Sequence, residues 1–486
     1  MAKVLLVLGY PDIFSAGDHV PEVIASGPVA LEAIDSRFVG NLKTKGLHRA
    51  EIAMLPEGGG WLIVEFGGDD RQEASERARR LVEALKGKSD APAMQLFEDP
   101  REQEMIWTVR ESGLGADAHV PGEEENHEGW EDSAVPPDRL GAYLRDLRAL
   151  VQRYGYVGSL YGHFGQGCVH TRLNFDLRTK AGIETFRAFL EEASDTVVRH
   201  GGSLSGEHGD GHSRAEFLPK MFGPELVQAF REFKGIWDPE GKMNPGRVVD
   251  PLRVDERLRL GTGYDPPAFQ THFRFPDDKY SFAQASLRCV GVGKCRKTSS
   301  GDGQPQTMCP SYMVTLEEQH TTRGRARLLF EMLQGETIAD GWRSEHVKGA
   351  LDLCLACKGC KGDCPVKVDM ATYKAEFLSH YYAGRLRPRT GYAMSLIYWW
   401  ARLASRLLAL VNAITQTPLL GDVAKRAAGI APQRRLPAFA PTPSRMHSTS
   451  ADCRDRPIPS GPDSSSGQTP STTTSSLRSP VRAWTS

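Results

Sequence analysis

Cys354, Cys357, Cys360 and Cys364 are followed by Pro365, which writes the run C-x2-C-x2-C-x3-C-P. Two-residue gaps let three thiolates converge on one iron-sulfur cubane, while the fourth, set just before proline, faces a second cluster. One run therefore implies a companion, and Cys289, Cys295 and Cys309 lie upstream of it, Cys309 again preceding a proline, Pro310. With Cys309 in the crossed-over role, one cluster takes Cys309, Cys354, Cys357 and Cys360, and the other takes Cys289, Cys295 and Cys364. The second set is one thiolate short of a 4Fe-4S site. It is read as a 3Fe-4S cluster, a four-iron cluster with an oxygen or nitrogen ligand, or a cluster completed by a cysteine not yet placed. Cys168 sits far from the run and reads as a packed core thiol. Paired C-x2-C motifs also serve structural zinc, but the x3-C-P ending is typical of iron-sulfur runs.

A second constellation is built from histidine. In "GSLYGHFGQGCVHTRLNFDL", His163 and His170 stand at the two ends of a glycine-rich turn, and "GGSLSGEHGDGHSR" adds Glu207 and His208 side by side. Two imidazoles and a carboxylate suit a divalent metal, zinc or manganese, with an open coordination position. Such a metal would hold a substrate hydroxyl and carboxylate and lower the hydroxyl pKa, while a neighbouring imidazole takes the proton. That is alcohol oxidation. Spacing alone leaves a blander reading open, in which the glycines make turns and the histidines cap them.

These side chains need a scaffold. "KVLLVLGY" and "WLIVEFGG" are apolar runs of strand length, with further strands expected at 93–97, 158–162 and 169–175. "DDRQEASERARRLVEALKG", "PPDRLGAYLRDLRALVQRYG" and 180 to about 199 read as amphipathic helices opened by start signals. The alternation gives an α+β or α/β pattern, with helices expected on one face of a sheet. The segment 264–277, rich in Pro, Phe and Asp, reads as a linker, and beyond Pro441 the chain turns Ser, Thr and Pro rich and reads as disordered. The abrupt change there also fits an altered reading frame.

Composition removes some classes. The chain has 486 residues, 40% hydrophobic and 25% charged, with a formal net charge of -1, so it has no overall attraction to nucleic acid. The apolar stretch 394–420 is interrupted by Arg402 and Arg406, short of the roughly 20 apolar residues of a spanning helix. It is read as a helix packing on its own protein, with a membrane surface as the alternative. Clustered thiols without a signal-peptide pattern imply a reducing, cytoplasmic setting, or one peripheral to the inner membrane.

The stretches "GHFGQGCVHTRLNFDL", "GGSLSGEHGDG" and "WDPEGKMNPGRVVDP" resemble the C-terminal, substrate-side domain of the FAD-linked oxidases of the vanillyl-alcohol oxidase superfamily, the D-lactate, glycolate and D-2-hydroxyglutarate dehydrogenase type. The cysteine region resembles their iron-sulfur branch. The resemblance implies an α+β fold, with a ferredoxin-like antiparallel sheet and helices over 1–260, a linker at 261–277 and an α-helical two-cluster domain at 278–385. A helical segment at 386–440 and the tail 441–486 follow. It implies that His163, His170 and Glu207 bind a divalent metal, that His208 abstracts the proton, and that Arg110 in "WTVRESG" grips the substrate carboxylate. Asn244, Gly246 and Arg247 in "NPGR" would lie near the flavin. Read locally, Arg110 is a solvated helix residue and "NPGR" a turn. Gln166, Cys168 and Arg172 depart from the commoner form of the motif, which bears on substrate identity.

No glycine-rich pyrophosphate loop is found; "PEGGG" at 56–60 precedes a strand and does not open a helix. The expectation is therefore a partial chain, whose FAD domain is a separate subunit or a missing N-terminal half, and which would expose an open face in isolation. Its partners would be a 2-hydroxy acid, that flavin domain and an acceptor protein or quinone. The rival readings are a non-catalytic electron-transfer subunit docking to a flavoprotein, and an inactive truncated product.

Overall fold

Uninterrupted apolar runs place strands at the centre of the fold, because a strand buried on both faces shows no polar alternation. In the computed structural model, which describes residues 2–298 and 307–440, strands β1 (Ala2–Tyr10), β2 (Ala30–Asp35), β3 (Gly60–Gly68) and β4 (Ala93–Phe97) form the main sheet. The short pieces β5 (Ser133–Ala134), β6 (Tyr161–Gly162) and β7 (Cys168–Val169) follow. The order is β4-β1-β3-β2-β6, antiparallel at every pairing, and β5 pairs with β7 in a separate ribbon. The tail expected to be disordered, 441–486, lies outside the described residues.

Helices cover both faces of the sheet, which corrects the expectation of one. Val4, Leu6, Leu8, Leu62 and Val64 face a core shared with the helices Arg71–Lys86, Leu140–Arg153 and Lys180–Arg199. Leu5, Val7, Ile34 and Ile63 face a second core with Phe38 and Leu42 of the helix Ser36–Lys45 and Ile106 and Val109 of the helix Pro100–Glu111. The signal was present in β1, where seven consecutive residues from Val4 are buried. The strands expected at 158–162 and 169–175 shorten to β6 and β7, because positive φ at Gly162 (150°) and Gly167 (71°) turns the chain between them. A Cβ at Gly162 would lie 2.4 Å from the Cys168 carbonyl oxygen.

Asp35 ends β2 and caps the next helix, accepting from Phe38 N at 2.8 Å and Leu160 N at 2.9 Å. One carboxylate thus fixes a helix start and the approach to β6.

The cysteine region has its own core of Phe282, Leu329, Val347, Tyr373 and Phe377. Phe269 and Phe275, from the segment read as a linker, pack against it. It belongs to the same compact unit as the sheet, Met1–Ala383. Gly115 shows how closely the regions meet, since a Cβ there would come within 2.4 Å of Pro365. The second unit begins at Gly384 and contains the helices Arg389–Ser395, Ile397–Ala404, Leu408–Gln416 and Pro418–Ala428, which leave Trp399, Leu403, Leu410 and Leu419 exposed. Among the described residues no helix is long and apolar enough to cross a membrane.

Candidate functional site

The histidine pocket is assembled by short antiparallel contacts between distant pieces of chain. Tyr161 bridges to His170, Ala134 to Ser203, and β5 pairs with β7, so residues 131–134, 161–170 and 203–208 converge. Asp132, fully buried, then clamps the last of these. Its carboxylate accepts from the backbone N–H groups of Glu207 and His208, at 3.2 and 2.8 Å, and from the Ser205 hydroxyl. This ring of donors holds its pKa below the usual carboxylate value, against the opposing pull of burial.

The pocket converges on one atom. His163, His170 and His208 each place Nε2 3.2 Å from Oε1 of Glu207. Each ring is held from behind through Nδ1, by the Glu32 carboxylate (2.7 Å), the Glu131 carbonyl (2.8 Å) and the Glu131 carboxylate (3.0 Å) respectively. Those partners are acceptors, so Nδ1 carries the proton and the Nε2 lone pair points inward in the neutral ring.

Three lone pairs and a carboxylate oxygen all accept, and an acceptor-only set at this spacing suits a cation. Ligand atoms bound at about 2.0–2.1 Å lie about 2.9 Å apart at octahedral angles and about 3.4 Å apart at tetrahedral ones, and 3.2 Å falls between these. Ligand atoms of Asp132, His170, Glu207 and His208 lie within 4.8 Å of one another, a set that leaves out His163, which meets the others through Glu207 Oε1. Asp132 already meets several donors, which fits it better to positioning than to ligation. The outward ties on every histidine are the arrangement that orients metal-bound imidazoles.

Glu32 links this pocket to Arg110. Its Oε1 accepts from His163, and its Oε2 accepts from Arg110 Nε at 2.9 Å and Nη2 at 2.7 Å. Arg110 is 8% exposed and lies over the Tyr161 ring at 5.4 Å, so the solvated reading of this helix residue fails. The hydrogen bond that His163 donates to Glu32 raises the His163 pKa, whereas burial lowers that of His170. For His208, burial pulls downward, but the hydrogen bond and charge of Glu131 win and the pKa is raised. Glu131 also accepts from the buried Arg214 at 2.9 Å.

The "NPGR" residues are elsewhere. Asn244 and Arg247 are exposed, Asn244 has φ 45°, and the loop bonds to itself through Leu252 N and the Gly246 carbonyl.

The cysteines divide between two small cavities. Cys309, Cys354, Cys357 and Cys360 line one, and Cys289, Cys295 and Cys364 line the other. Left-handed backbone at Ala356 and Lys358 bends the C-x2-C-x2-C loop around the first cavity. Cys309 Sγ accepts from Thr322 N at 3.0 Å. Burial pushes the thiols of Cys289 and Cys360 up to about 11, so they become thiolates readily only with a cation to receive them. No fourth cysteine lines the second cavity among the described residues. Cys168 is buried beside Asp132 at 3.4 Å, in the histidine loop.

Sequence reasoning missed Glu32, Glu131 and Asp132. The signals were faint: a lone acid inside the strand "ALEAID" and an acidic pair in "GWEDS".

The structure thus joins a sheet domain with a convergent imidazole-carboxylate pocket to a helical region with two thiol-lined cavities. Residues 1–248 match the family of FAD linked oxidases, C-terminal domain, and residues 285–368 match the 4Fe-4S dicluster domain. Through residues 1–248 the chain belongs to the family described as FAD linked oxidases, C-terminal domain, and it carries a 4Fe-4S dicluster domain after them. It is 28% identical over 452 residues to a D-2-hydroxyglutarate dehydrogenase of Pseudomonas putida, covering 85% of this chain and 44% of that protein. Against the Escherichia coli D-2-hydroxyglutarate dehydrogenase the values are 25% over 473 residues, 88% and 46%. With the glycolate oxidase subunit GlcD of Bacillus subtilis they are 27% over 260 residues, 53% and 52%. The chain thus spans about half the length of the curated relatives it matches.

Proposed function

We propose that this chain is the substrate-side and electron-relay portion of an FAD-dependent dehydrogenase of D-2-hydroxy acids, of the 2-hydroxyglutarate, lactate or glycolate class. The observation that carries the reading is the meeting of three Nε2 atoms at 3.2 Å from Glu207 Oε1, with every Nδ1 tied outward. His163, His170 and Glu207 hold a divalent metal, zinc or manganese. Bound there, the metal supplies Lewis-acid polarisation of the substrate hydroxyl. FAD, from a domain outside the residues described, supplies the two-electron acceptor, and the 4Fe-4S centres supply one-electron carriers.

The chain's own residues bind, orient and move a proton. Arg110 grips the carboxylate, with Glu32 fixing the guanidinium on its Nε and Nη2 side. His208 takes the hydroxyl proton on Nε2, because its Nδ1 is committed to Glu131. Asn244, Gly246 and Arg247 would face the flavin once its domain is in place. The cysteines hold the clusters as two sets, four thiols and three.

The test is calorimetric titration of D-2-hydroxyglutarate, D-lactate and glycolate into the chain, metal-loaded and chelator-stripped, then turnover with an FAD-bearing partner supplied. Metal-dependent binding of at least one acid is expected, with loss of turnover and retained metal in His208→Ala. No metal-dependent binding, or unchanged turnover in that variant, sinks the dehydrogenase reading. Metal lost along with His208 assigns that ring to ligation instead of proton transfer.

A further inference from the structure

The unit that begins at Gly384 does not bury its own apolar residues. Its helices, Arg389–Ser395, Ile397–Ala404, Leu408–Gln416 and Pro418–Ala428, are seven to eleven residues long, and from 384 to 440 only Ala404 and Gly421 are buried. Leu396, Trp400, Leu403 and Leu407 follow the spacing that sets side chains along one side of a helix, and all four are exposed. Trp399 is 62% exposed and Leu419 77%. Hydrogen bonds, in place of a core, tie the pieces together. Asn412 exchanges two with the Phe439 backbone, at 2.9 and 2.8 Å, and Lys425 Nζ donates to the Pro432 carbonyl at 2.6 Å. Apolar surface left bare on this scale marks a contact with something outside the fold.

Charge narrows the choice of occupant. From 384 to 440 the sequence has nine Lys or Arg and one acid, Asp422, which is already paired with Lys425 at 2.7 Å. The whole chain has a formal net charge of -1, so the rest of it is net acidic and an anionic surface would attract this unit alone. Arg402 lies over the rings of Tyr398 and Trp399, 5.6 and 6.0 Å from their centres, and donates to the Tyr398 hydroxyl at 2.8 Å. Exposed Trp and Tyr beside guanidinium groups on an apolar face suit the headgroup level of a bilayer. A second copy of the chain fits less well, because a shared face would set this basic surface against itself. The sequence beyond Pro441, rich in Ser, Thr and Pro, offers few apolar residues to cover it. Helices this short lie on a bilayer and do not cross it.

We propose that the unit from Gly384 docks on an anionic phospholipid surface. Its helices lie in the plane of the interface, Trp399, Trp400 and Leu403 enter the outer part of the acyl layer, and Arg402 and Arg406 meet the lipid phosphates. Apolar burial supplies the hold, and the basic side chains supply the preference for anionic lipid.

The full chain with clusters assembled is floated with phosphatidylcholine vesicles, pure or containing about 30% phosphatidylglycerol, at about 0.1 M and about 0.5 M salt. The proposal expects saturable binding to the anionic vesicles, about tenfold or more weaker on phosphatidylcholine alone and weakened by salt. Trp399→Ala combined with Trp400→Ala, both exposed side chains, should weaken binding about tenfold or more and remove most of the tryptophan quenching by acyl-brominated lipid. Arg402→Gln combined with Arg406→Gln should weaken binding to the anionic vesicles only. Circular dichroism and cluster absorbance should stay unchanged in both variants. Absence of binding, equal binding to the two kinds of vesicle, or unchanged binding in both variants overturns the proposal. So does a dimer that the tryptophan variant dissolves in a chain that ignores vesicles, which assigns the face to a second copy. None of these readouts uses the hydroxy acid or the metal, so they stand or fall apart from the Glu207 pocket.

Discussion

The histidine pocket and the cysteine cavities are both donor sets, yet they are held together by opposite means. In the pocket, Glu32, Glu131 and Asp132 fix each donor by hydrogen bonds that exist before any ion arrives. In the cysteine region the thiols line hollow spaces, and burial favours their neutral form. A pocket wired by its own protein is held by bonds that need no ligand, whereas buried thiols depend on iron for charge compensation. The sheet region should therefore be the stable platform and the cysteine region the conditional one.

Removing iron and sulfide should give the largest effect. Cluster-free chain is expected to melt in two steps, with the cysteine region losing about 10 °C or more, the consequence of losing a few kcal/mol in a domain of that size. Hydrogen exchange should rise first at the loops bearing Cys289 and Cys354, while β1 and β3 stay protected. A single transition with protection lost evenly would break the contrast.

Glu207→Gln probes the other side. Removing the carboxylate on which three rings converge should lower zinc or manganese affinity at least 100-fold in equilibrium dialysis, with the melting temperature and the cluster absorbance nearly unchanged. Collapse of the fold in this variant would mean that the pocket is a structural ion-pair network. Glu32→Gln should be milder. It leaves a hydrogen-bonding partner for His163 but weakens its hold on the ring and leaves Arg110 without its counter-charge, so metal affinity should fall about 10- to 100-fold. An unchanged affinity would show that Glu32 serves Arg110 alone.

The same contrast explains what the sequence could reveal. The grouping of the cysteines is legible because it is largely local: the spacing 354, 357, 360 brings three thiols to one cavity, Cys309 lines it with them, and Cys289, Cys295 and Cys364 line the other. The strands β1, β3 and β4 are legible as apolar runs. β2 is hidden because Glu32 breaks its apolar run, and that residue is buried for its bonds to His163 and Arg110. Glu131 and Asp132 are illegible for a related reason. Their partners, His170 and residues 205–208, are brought near by the two-residue β5–β7 pairing and by isolated bridges between distant pieces, which no local period records. Helices on both faces could have been inferred from β1, whose apolar run leaves no polar face for water.

A further expected effect concerns the junction of the two regions. His119, with φ 52°, lies 3.8 Å from Glu125, while Arg288, Lys45 and Arg172 add opposing charge. Burial lowers its pKa to about 4, against about 6.5 in an unfolded chain. The folded state therefore holds the ring neutral where the unfolded state would protonate it. Between these values the unfolded chain binds more protons, so stability rises with pH, is fully present above about 6.5, and is lost as pH falls toward 4. The difference corresponds to about 3 kcal/mol at most, and charge relaxation at Glu125 should reduce it. His127, also lowered by burial, pulls in the same direction. Urea unfolding from pH 7 to pH 5, with cluster absorbance followed in parallel so that only cluster-loaded chain is compared, should show this loss, and His119→Asn should flatten part of the slope. If the variant keeps the full slope, the junction is not where acid acts, and the conditional character of the cysteine region must lie wholly in its clusters.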